Sequence, residues 1–434
     1  PLAGPELDAQ ALAHTPWADA LADALADPSL GPRFVTDFVR HTIPLRLADA
    51  TTALLAVDCG ELRDIDGEER RAVSEVEIEL VAGATIDLFR FAAALAADLP
   101  LAIQVAGKAE RGVALIRRAP DGWRKPVRAA APTYPRECDA AAALLAIVRE
   151  CTGQIAANAA GLLHDDDPEW VHQMRVGTRR LRSCLALVAP LLPAPGVDAV
   201  NAGLRKLADV LGRCRDLDVF VTELLQPLAR AADPDSTMVR ALAPVQQLAE
   251  AARSEARAEA RRVVGAADFT RLVLALGALG SLPRFGVPPA IAADDPLSQP
   301  VATFAAALLR RRHRRVRRRG KALAEGSGAE RHALRIAAKK MRYAAEFFAP
   351  AFAHPKRARA YGASLAELQD ALGQLNDGET AAQLVATLTG GRPDHAEAAG
   401  AAAGWVAARQ VAVVDTLAPA WKAFRRAPRF WRAG

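Results

Sequence analysis

Two short stretches of this 434-residue chain space basic side chains so that they could grip an extended anion. In His172-Gln-Met-Arg175-Val-Gly-Thr-Arg179-Arg180-Leu-Arg182 the positions His172, Arg175, Arg179 and Arg182 fall on one stripe of a helix, about 15 Å long at about 1.5 Å per residue. The pattern returns in His332-Ala-Leu-Arg335-Ile-Ala-Ala-Lys339-Lys340-Met-Arg342, where His332, Arg335, Lys339 and Arg342 make a second stripe. Val171, Met174, Thr178 and Leu181 each lie one residue before a charge of the first stripe and Leu185 continues their row, so the cations border a core-facing surface at the lip of an interhelical groove. A guanidinium fork chelates phosphate oxygens and an ammonium adds point charge. Two such stripes sharing a groove repel each other unless acids such as Asp216 and Asp377, or a bound polyanion, offset them. Both solutions are compatible with the sequence.

The repetition extends beyond the stripes. Asp167-Pro168-Glu169 and Ser327-x-x-Glu330 each supply a helix start five residues before a histidine, and Leu211-Gly212-Arg213-Cys214-Arg215-Asp216 is echoed by Leu372-Gly373-Gln374-Leu375-Asn376-Asp377. This predicts two copies of one helical unit related by a pseudo-twofold. HxxRxxxRRxR with LGxxRD, followed by HxxRxxxKKxRY with LGxxND, resembles the CHAD domain, the helical domain with repeated histidines that binds inorganic polyphosphate. The resemblance covers about 136–434. It implies two four-helix bundles flanking a basic pore, with polyphosphate held by His172, Arg175, Arg179, Arg180, Arg182, Lys206, Arg213 and Arg215 of the first copy. The second copy would add His332, Arg335, Lys339, Lys340 and Arg342. Arg213 and Arg215 become Gln374 and Asn376 in the second copy.

The run at 310–319 has no basic counterpart near 150–159, so the pore charge is expected to be lopsided. Arg311, Arg314, Arg318 and Lys321 share a helical face that could continue the anion track, while about half of the run is expected to face water. His172 and His332 lack a second ligand at i+4, which argues against a metal site on these helices.

Near the N-terminus, Glu75, Glu77 and Glu79 alternate with Val76, Ile78 and Leu80, so three carboxylates project from one face of a strand. Such a row serves either as charged gatekeepers on an exposed edge or, inside a barrel, as ligands for a divalent cation, with Arg40, Lys108 and Arg111 as basic partners. The order FVTDFVR (34–40), VDCGEL (57–62), EVEIEL (75–80) and GKAERG (107–112) resembles the later half of the CYTH domain, the triphosphate-tunnel fold. That resemblance implies Mg-assisted hydrolysis of inorganic triphosphate. Glu75, Glu77 and Glu79 would be the metal and catalytic candidates, and Arg40, Lys108 and Arg111 the triphosphate clamps. The family opens on an ExExK strand, and none precedes Arg33, where residues 1–31 read as Pro-rich with a short helix at about 16–26. Half of the tunnel is therefore expected to be missing, and turnover by this chain is not expected.

The elements that must position these groups follow from the same sequence. Residues 32–117 read as strands, with turns at Cys59-Gly60 and Asp66-Gly67 and one helix at about 85–98. The prolines at 120, 126, 132 and 135 make 119–136 a linker. Everything after it is helical in spacing, with repeats at about 137–290 and 296–434. The expected fold is α+β: a partial antiparallel β-barrel over 1–118, then an all-α pair of four-helix bundles.

Charge is uneven, with 14 Lys/Arg against 20 Asp/Glu over 1–135 and 24 against 10 over 296–434, which points to an anionic partner for the part of the chain after residue 135. Few aromatics accompany the arginines, so a polyanion without bases is favoured over nucleic acid. The five cysteines form no CxxC pair, and a reducing cytoplasmic setting, with polyphosphate granules as a candidate place, is the expectation. No run of about 18 uncharged apolar residues occurs, so no membrane partner is expected. Residue 1 is proline and no signal peptide is visible, so a start upstream of this sequence is expected.

Overall fold

The computed structural model describes residues 18, 31–117, 125–191, 194–231, 237–288, 295–322, 328–390, 392 and 395–431. The helix expected at 16–26 (residue 18 apart), Ser327 of the expected capping box, and residues 118–124 of the expected linker lie outside these. Two compact units are present. One comprises residues 31–43, 55–77 and 106–117, and the other residues 44–54, 78–105 and the chain from 125 onward.

Three 13-residue strands, β1 (Phe34–Arg46), β2 (Thr52–Asp64) and β3 (Arg70–Ala82), form an antiparallel sheet in the order β1-β2-β3. Three strands are too few to close on themselves, so among the described residues the sheet is open rather than a barrel. The expected turn at Asp66-Gly67 is present: Gly67 has φ 74°, its N–H donates to Asp64 O at 3.2 Å, and Asp64 Oδ1 accepts from Glu69 N. The turn expected at Cys59-Gly60 is not. Both residues lie inside β2, and a Cβ on Gly60 would stand 2.2 Å from Asp37 O of β1, so this glycine permits close strand approach. The segment GKAERG, expected as strand, begins a helix, Lys108–Ile116, because Glu110 Oε2 accepts from Gly107 N at 3.1 Å and caps it. Leu62, Val73 and Leu115 form the small core of this unit.

Helix α1 (Thr85–Asp98) belongs to the second unit, and the helix just described is α2. The remainder is α3 (Ala140–His164), α4 (Pro168–Val188), α5, α6 (Thr237–Val264), α7 (Ala267–Ser281), α8 (Val301–Arg319), α9 (Gly328–Phe348), α10 (Pro355–Thr389) and α11 (Ala396–Arg426). Helix α5 runs from Ala194–Val219 through a π-helical turn, Phe220–Leu225, into Gln226–Ala231. The starts follow from side-chain caps: Asp139 accepts from Ala142 N at 2.8 Å, and Asp167 from Glu169 N at 2.8 Å with Pro168 at the first helical position.

Each helix packs on the next, α3 on α4 on α5 on α6 and α8 on α9 on α10 on α11. The two motif helices, α4 and α9, also touch. One core runs through both halves, including Leu144, Met174, Leu181, Leu308, Met341 and Phe348, and a smaller cluster joins Phe220, Leu242, Val385 and Ala402. Helix α3 is long and apolar enough to cross a membrane, yet most of it is buried within the body, which makes it the central helix of this core.

Residues 125–136 lie as a strap along these helices. Val127 N donates to Asn158 Oδ1 at 3.0 Å, Ala130 N to Glu150 Oε1 at 3.0 Å, and Tyr134 Oη to Phe347 O at 2.7 Å. The strap is locked by Arg180, which the sequence pattern assigned to the anion site. Its side chain is 1% exposed and turned inward, donating to Glu150 Oε2 at 2.7 Å, Gln154 Oε1 at 3.2 Å and Ala130 O at 2.7 Å. The reason is rotational: one residue beyond Arg179 turns the side chain about 100° toward the apolar side of α4. Removing one partner of a buried ion pair strands the other. Arg180→Ala is expected to lower unfolding stability by about 3–5 kcal/mol, read as a shift in urea midpoint at unchanged m-value; a change under about 0.5 kcal/mol would remove Arg180 from this structural role.

Candidate functional site

Helices α4, α5, α9 and α10 line a cavity of about 800 Å³. The first motif helix supplies His172, Arg175 and Arg179, the second supplies Arg335, Lys339 and Arg342, and Arg215 enters from α5. These side chains, far apart in sequence, are the ones the repeat singled out. Helix α4 uses its second to fourth turns, from His172 to Arg179, whereas α9 is used about one turn further along, from Arg335 to Glu346. His332 is therefore left exposed and lines no part of the cavity, although its counterpart His172 is half-buried in it.

The cavity also holds carboxylates, Asp216, Glu223, Glu346, Asp370 and Asp377, so its charge is far closer to balance than the motif alone suggests. Asp216 pairs with Arg175 at 3.6 Å, Glu223 with Arg215 at 3.0 Å, and Glu346 with Arg342 at 2.7 Å, while Gln369 Oε1 accepts from Arg342 at 3.0 Å. The π-helical turn of α5 carries Glu223 to this position, a common use of such turns at functional sites. Three cations remain without a carboxylate within ion-pair distance among the described residues: Arg179, Arg335 and Lys339. Arg179 lies over the Tyr343 ring at 6.0 Å. Arg335 Nε is buried with no hydrogen-bond partner. The unpaired charges come from both motif helices.

Crowding registers in the protonation of these groups. Burial first, and then the charges of Arg179, Arg335 and Arg175, push the Lys339 ammonium down to about 7. Arg335 and Arg175 are also lowered, by burial and then by neighbouring cations that include Arg179. Burial and the nearby Arg215 lower His172. On the opposite side burial raises Asp377, with Glu223 and Asp216 adding to it and Arg335 opposing. Such shifts mark a site that stabilises itself poorly and gains from an added anion.

Other residues that the sequence assigned to the site lie elsewhere. Arg182 is half-exposed and Arg213 and Lys321 are exposed, and none lines the cavity. Lys206 is 66% exposed and meets Asp268 at 3.8 Å beside α7. Arg311, Arg314, Arg318 and Lys340 line a different cleft, together with Arg312 and Arg315, which the helical-face count left out. Of the cavity residues, Glu223, Gln369 and Asp370 were not foreseen; Glu346, four residues after Arg342, carried an i,i+4 signal that would have found it.

The sheet unit holds a second charged cluster. Arg40 donates to both oxygens of Asp58, at 2.7 Å each, and to Glu77 Oε2 at 2.7 Å. Lys108 Nζ stands 2.7 Å from Asp58 Oδ2, 2.8 Å from Glu75 Oε2 and 2.7 Å from Glu77 Oε1, and Arg111 bonds the other Glu75 oxygen. Asp58, Glu75 and Glu77 present ligand atoms within 4.8 Å of one another, a span that suits a divalent cation. Glu79 is exposed and is not one of them, and Asp58, unassigned from sequence, takes its place. Yet all six carboxylate oxygens are engaged, and the Lys108 ammonium stands where an ion would, so the residues as arranged do not fit Mg without displacing Lys108. The Arg40 hydrogen bonds hold Asp58 down at about 2.

A profile of the CHAD domain matches residues 146–386. By fold the chain is similar to the crystal structure of the CHAD domain from the plant Ricinus communis, at 31% sequence identity and a TM-score of 0.60, covering 71% of this chain and 99% of that one. It is also similar to PptA from Streptomyces chartreusis, at 19% identity and a TM-score of 0.49, covering 67% of this chain and 99% of that one. No curated protein matches the sequence.

Proposed function

We propose that this chain, which belongs to the CHAD family, binds inorganic polyphosphate in the cavity between α4 and α9, the two motif helices acting as pseudo-twofold halves of one grip. The observation that carries this reading is the buried, unsatisfied Nε of Arg335 beside the unpaired Arg179 and Lys339. A buried donor without a partner costs roughly 1–3 kcal/mol, and phosphate oxygens would recover that cost. The carboxylates set the selectivity. With Asp216, Glu223 and Glu346 already paired, an entering anion must present enough charge to compete with them, which favours a dense phosphate chain over a monovalent ion. Tyr343 is engaged by Arg179 and stacked on Phe347, which leaves little ring surface for a nucleobase.

Metal-assisted triphosphate hydrolysis in the sheet unit has weaker support, because Lys108 takes the place of the cation among Asp58, Glu75 and Glu77. The closed ion-pair cluster supports a structural role for these residues, in a reducing cytoplasmic protein whose partner is a phosphate polymer.

Removing the stripes one at a time tests the shared grip. Arg175→Gln with Arg179→Gln, or Arg335→Gln with Lys339→Gln, should each weaken polyphosphate binding by at least about 100-fold, from roughly 1.5–3 kcal/mol for each of two charged hydrogen bonds. Each pair should also flatten the salt dependence by about two contacts. Helix content should stay that of the parent protein by circular dichroism. Normal affinity in either pair would mean that the stripes are internal ion-pair networks.

Proton linkage gives a separate readout. In the free protein Lys339, lowered to about 7, is largely neutral at about pH 8, and a phosphate chain beside it raises its affinity for a proton. Binding should therefore take up about one proton at about pH 8 and almost none at about pH 6, where Lys339 is already charged, so affinity falls as pH rises between them. Calorimetry in buffers of different ionisation enthalpy measures the uptake. Lys339→Arg should abolish it, and uptake that persists in that variant would assign the proton to another group.

A further inference from the structure

The arginine run of α8 builds a place of its own. Helices α4, α8 and α9 border a cleft of about 630 Å³ lined by Arg311, Arg312, Arg314, Arg315, Arg318 and Lys340. The remaining lining residues are Ser183, Ala186 and Ala337, so the cleft holds six cations and no carboxylate, whereas the central cavity sets five carboxylates against its cations.

Helix geometry shows how the two places are divided. On α4, His172, Arg175, Arg179, Ser183 and Ala186 follow one stripe at 3–4 residue spacing, and that stripe runs from the cavity into the cleft. On α9 the two sets lie on opposite faces. At about 100° per residue, Arg335, Lys339 and Arg342 point one way and Ala337 and Lys340 the other. Helix α9 thus crosses the α4 stripe and splits it, with Lys339 serving the cavity and its neighbour Lys340 serving the cleft.

Among the described residues, Arg311, Arg314, Arg315 and Arg318 are exposed with no carboxylate within ion-pair distance. Arg312 is half-buried, its guanidinium donating to Lys340 O, and burial followed by Arg311 and Arg315 lowers it to about 10. A purely solvated run would spread its charges around the helix. Here five of the eight arginines converge on one concave surface, while Arg310, Arg317 and Arg319 point elsewhere.

We propose that the cleft between α4, α8 and α9 is a second polyanion site, separate from the central cavity, that takes a phosphate chain without bases. The ligand class rests on the reading of the cavity; the site rests on its own residues. No aromatic side chain lines the cleft, so stacking has no platform, and fork-shaped guanidinium groups suit repeating phosphate oxygens. Without carboxylates to displace, the cleft captures by charge, and its binding is the more salt-sensitive of the two.

The test compares three sets of variants of the full chain by titration with inorganic tripolyphosphate and with longer polyphosphate across a salt series. Arg311→Gln with Arg315→Gln and Arg318→Gln should reduce tripolyphosphate stoichiometry from two to one and flatten the salt dependence for the long chain by about three contacts. Arg310→Gln with Arg317→Gln and Arg319→Gln removes the same charge from the same helix outside the cleft and should change neither. Arg335→Gln with Lys339→Gln should remove the other tripolyphosphate site. All eight positions are at least partly solvent-facing, and thermal unfolding confirms that the variants fold.

If the cleft variant behaves like its charge-matched control while the cavity variant abolishes all binding, there is no second site. If the cavity variant binds normally and the cleft variant does not, the cavity reading fails and the cleft stands. An oligonucleotide that binds the cleft as tightly as a polyphosphate of equal charge would overturn the ligand assignment.

Discussion

Like charges from two helices share one cavity, and the architecture around them can be understood as the means of keeping them there. Arg179, Arg335 and Lys339 face the cavity without ion-pair partners, although a carboxylate on any neighbouring turn would have relieved them. What holds them is packing: α4 and α9 are anchored by Met174, Leu181, Met341 and Phe348 in a continuous core, so the side chains cannot withdraw. The strain is partial because Asp216, Glu223 and Glu346 pair with Arg175, Arg215 and Arg342. It is visible in the lowered Lys339 ammonium and in the raised Asp377 carboxyl, two groups of the same cavity displaced toward neutrality.

The surrounding elements serve that constraint in different ways. The strap at 125–136 is pinned by Arg180, Glu150 and Asn158, and Ala129 within it borders the cavity. Helix α9 is the partition. One face completes the cavity and the opposite face completes the arginine cleft, so a single helix with adjacent lysines separates a charge-compensated site from an uncompensated one. Within the arginine run of α8, His313 is buried against Tyr361 Oη at 2.9 Å and among Phe424 and Trp431. That aromatic packing fixes the rotation of the helix and thereby determines which arginines of the run reach the cleft.

Much of this was legible in the sequence. The helical body, the Asp167 cap, the turn at Gly67 and the convergence of His172, Arg175, Arg179, Arg335, Lys339 and Arg342 follow from periodicity and repetition. What was not legible depends on rotation and register. Arg180 and Lys340 sit one residue past cavity positions, and a turn of about 100° sends the first into the core and the second into the cleft. His332 matches His172 in sequence, but α9 is used about one turn further along, and a repeat does not encode that offset. Gly60 read as a turn because a turn and a close strand approach both require glycine, and only the position of Asp37 O, 2.2 Å from where a Cβ would stand, tells them apart. The sheet cluster was misassigned at Glu79 for a related reason: alternation places three glutamates on one face, but the position of Lys108, on a helix that read as a strand, decides which of them it meets.

The central claim is that one phosphate chain is gripped from both motif helices at once. A crystal structure of the protein with tripolyphosphate tests it most directly. The account predicts phosphate oxygens within roughly 3 Å of Arg179 on α4 and of Arg335 Nε and Lys339 on α9 in the same molecule of ligand. A cavity in which those cations instead close onto Asp216 and Asp377, with phosphate bound only outside it, would contradict the account.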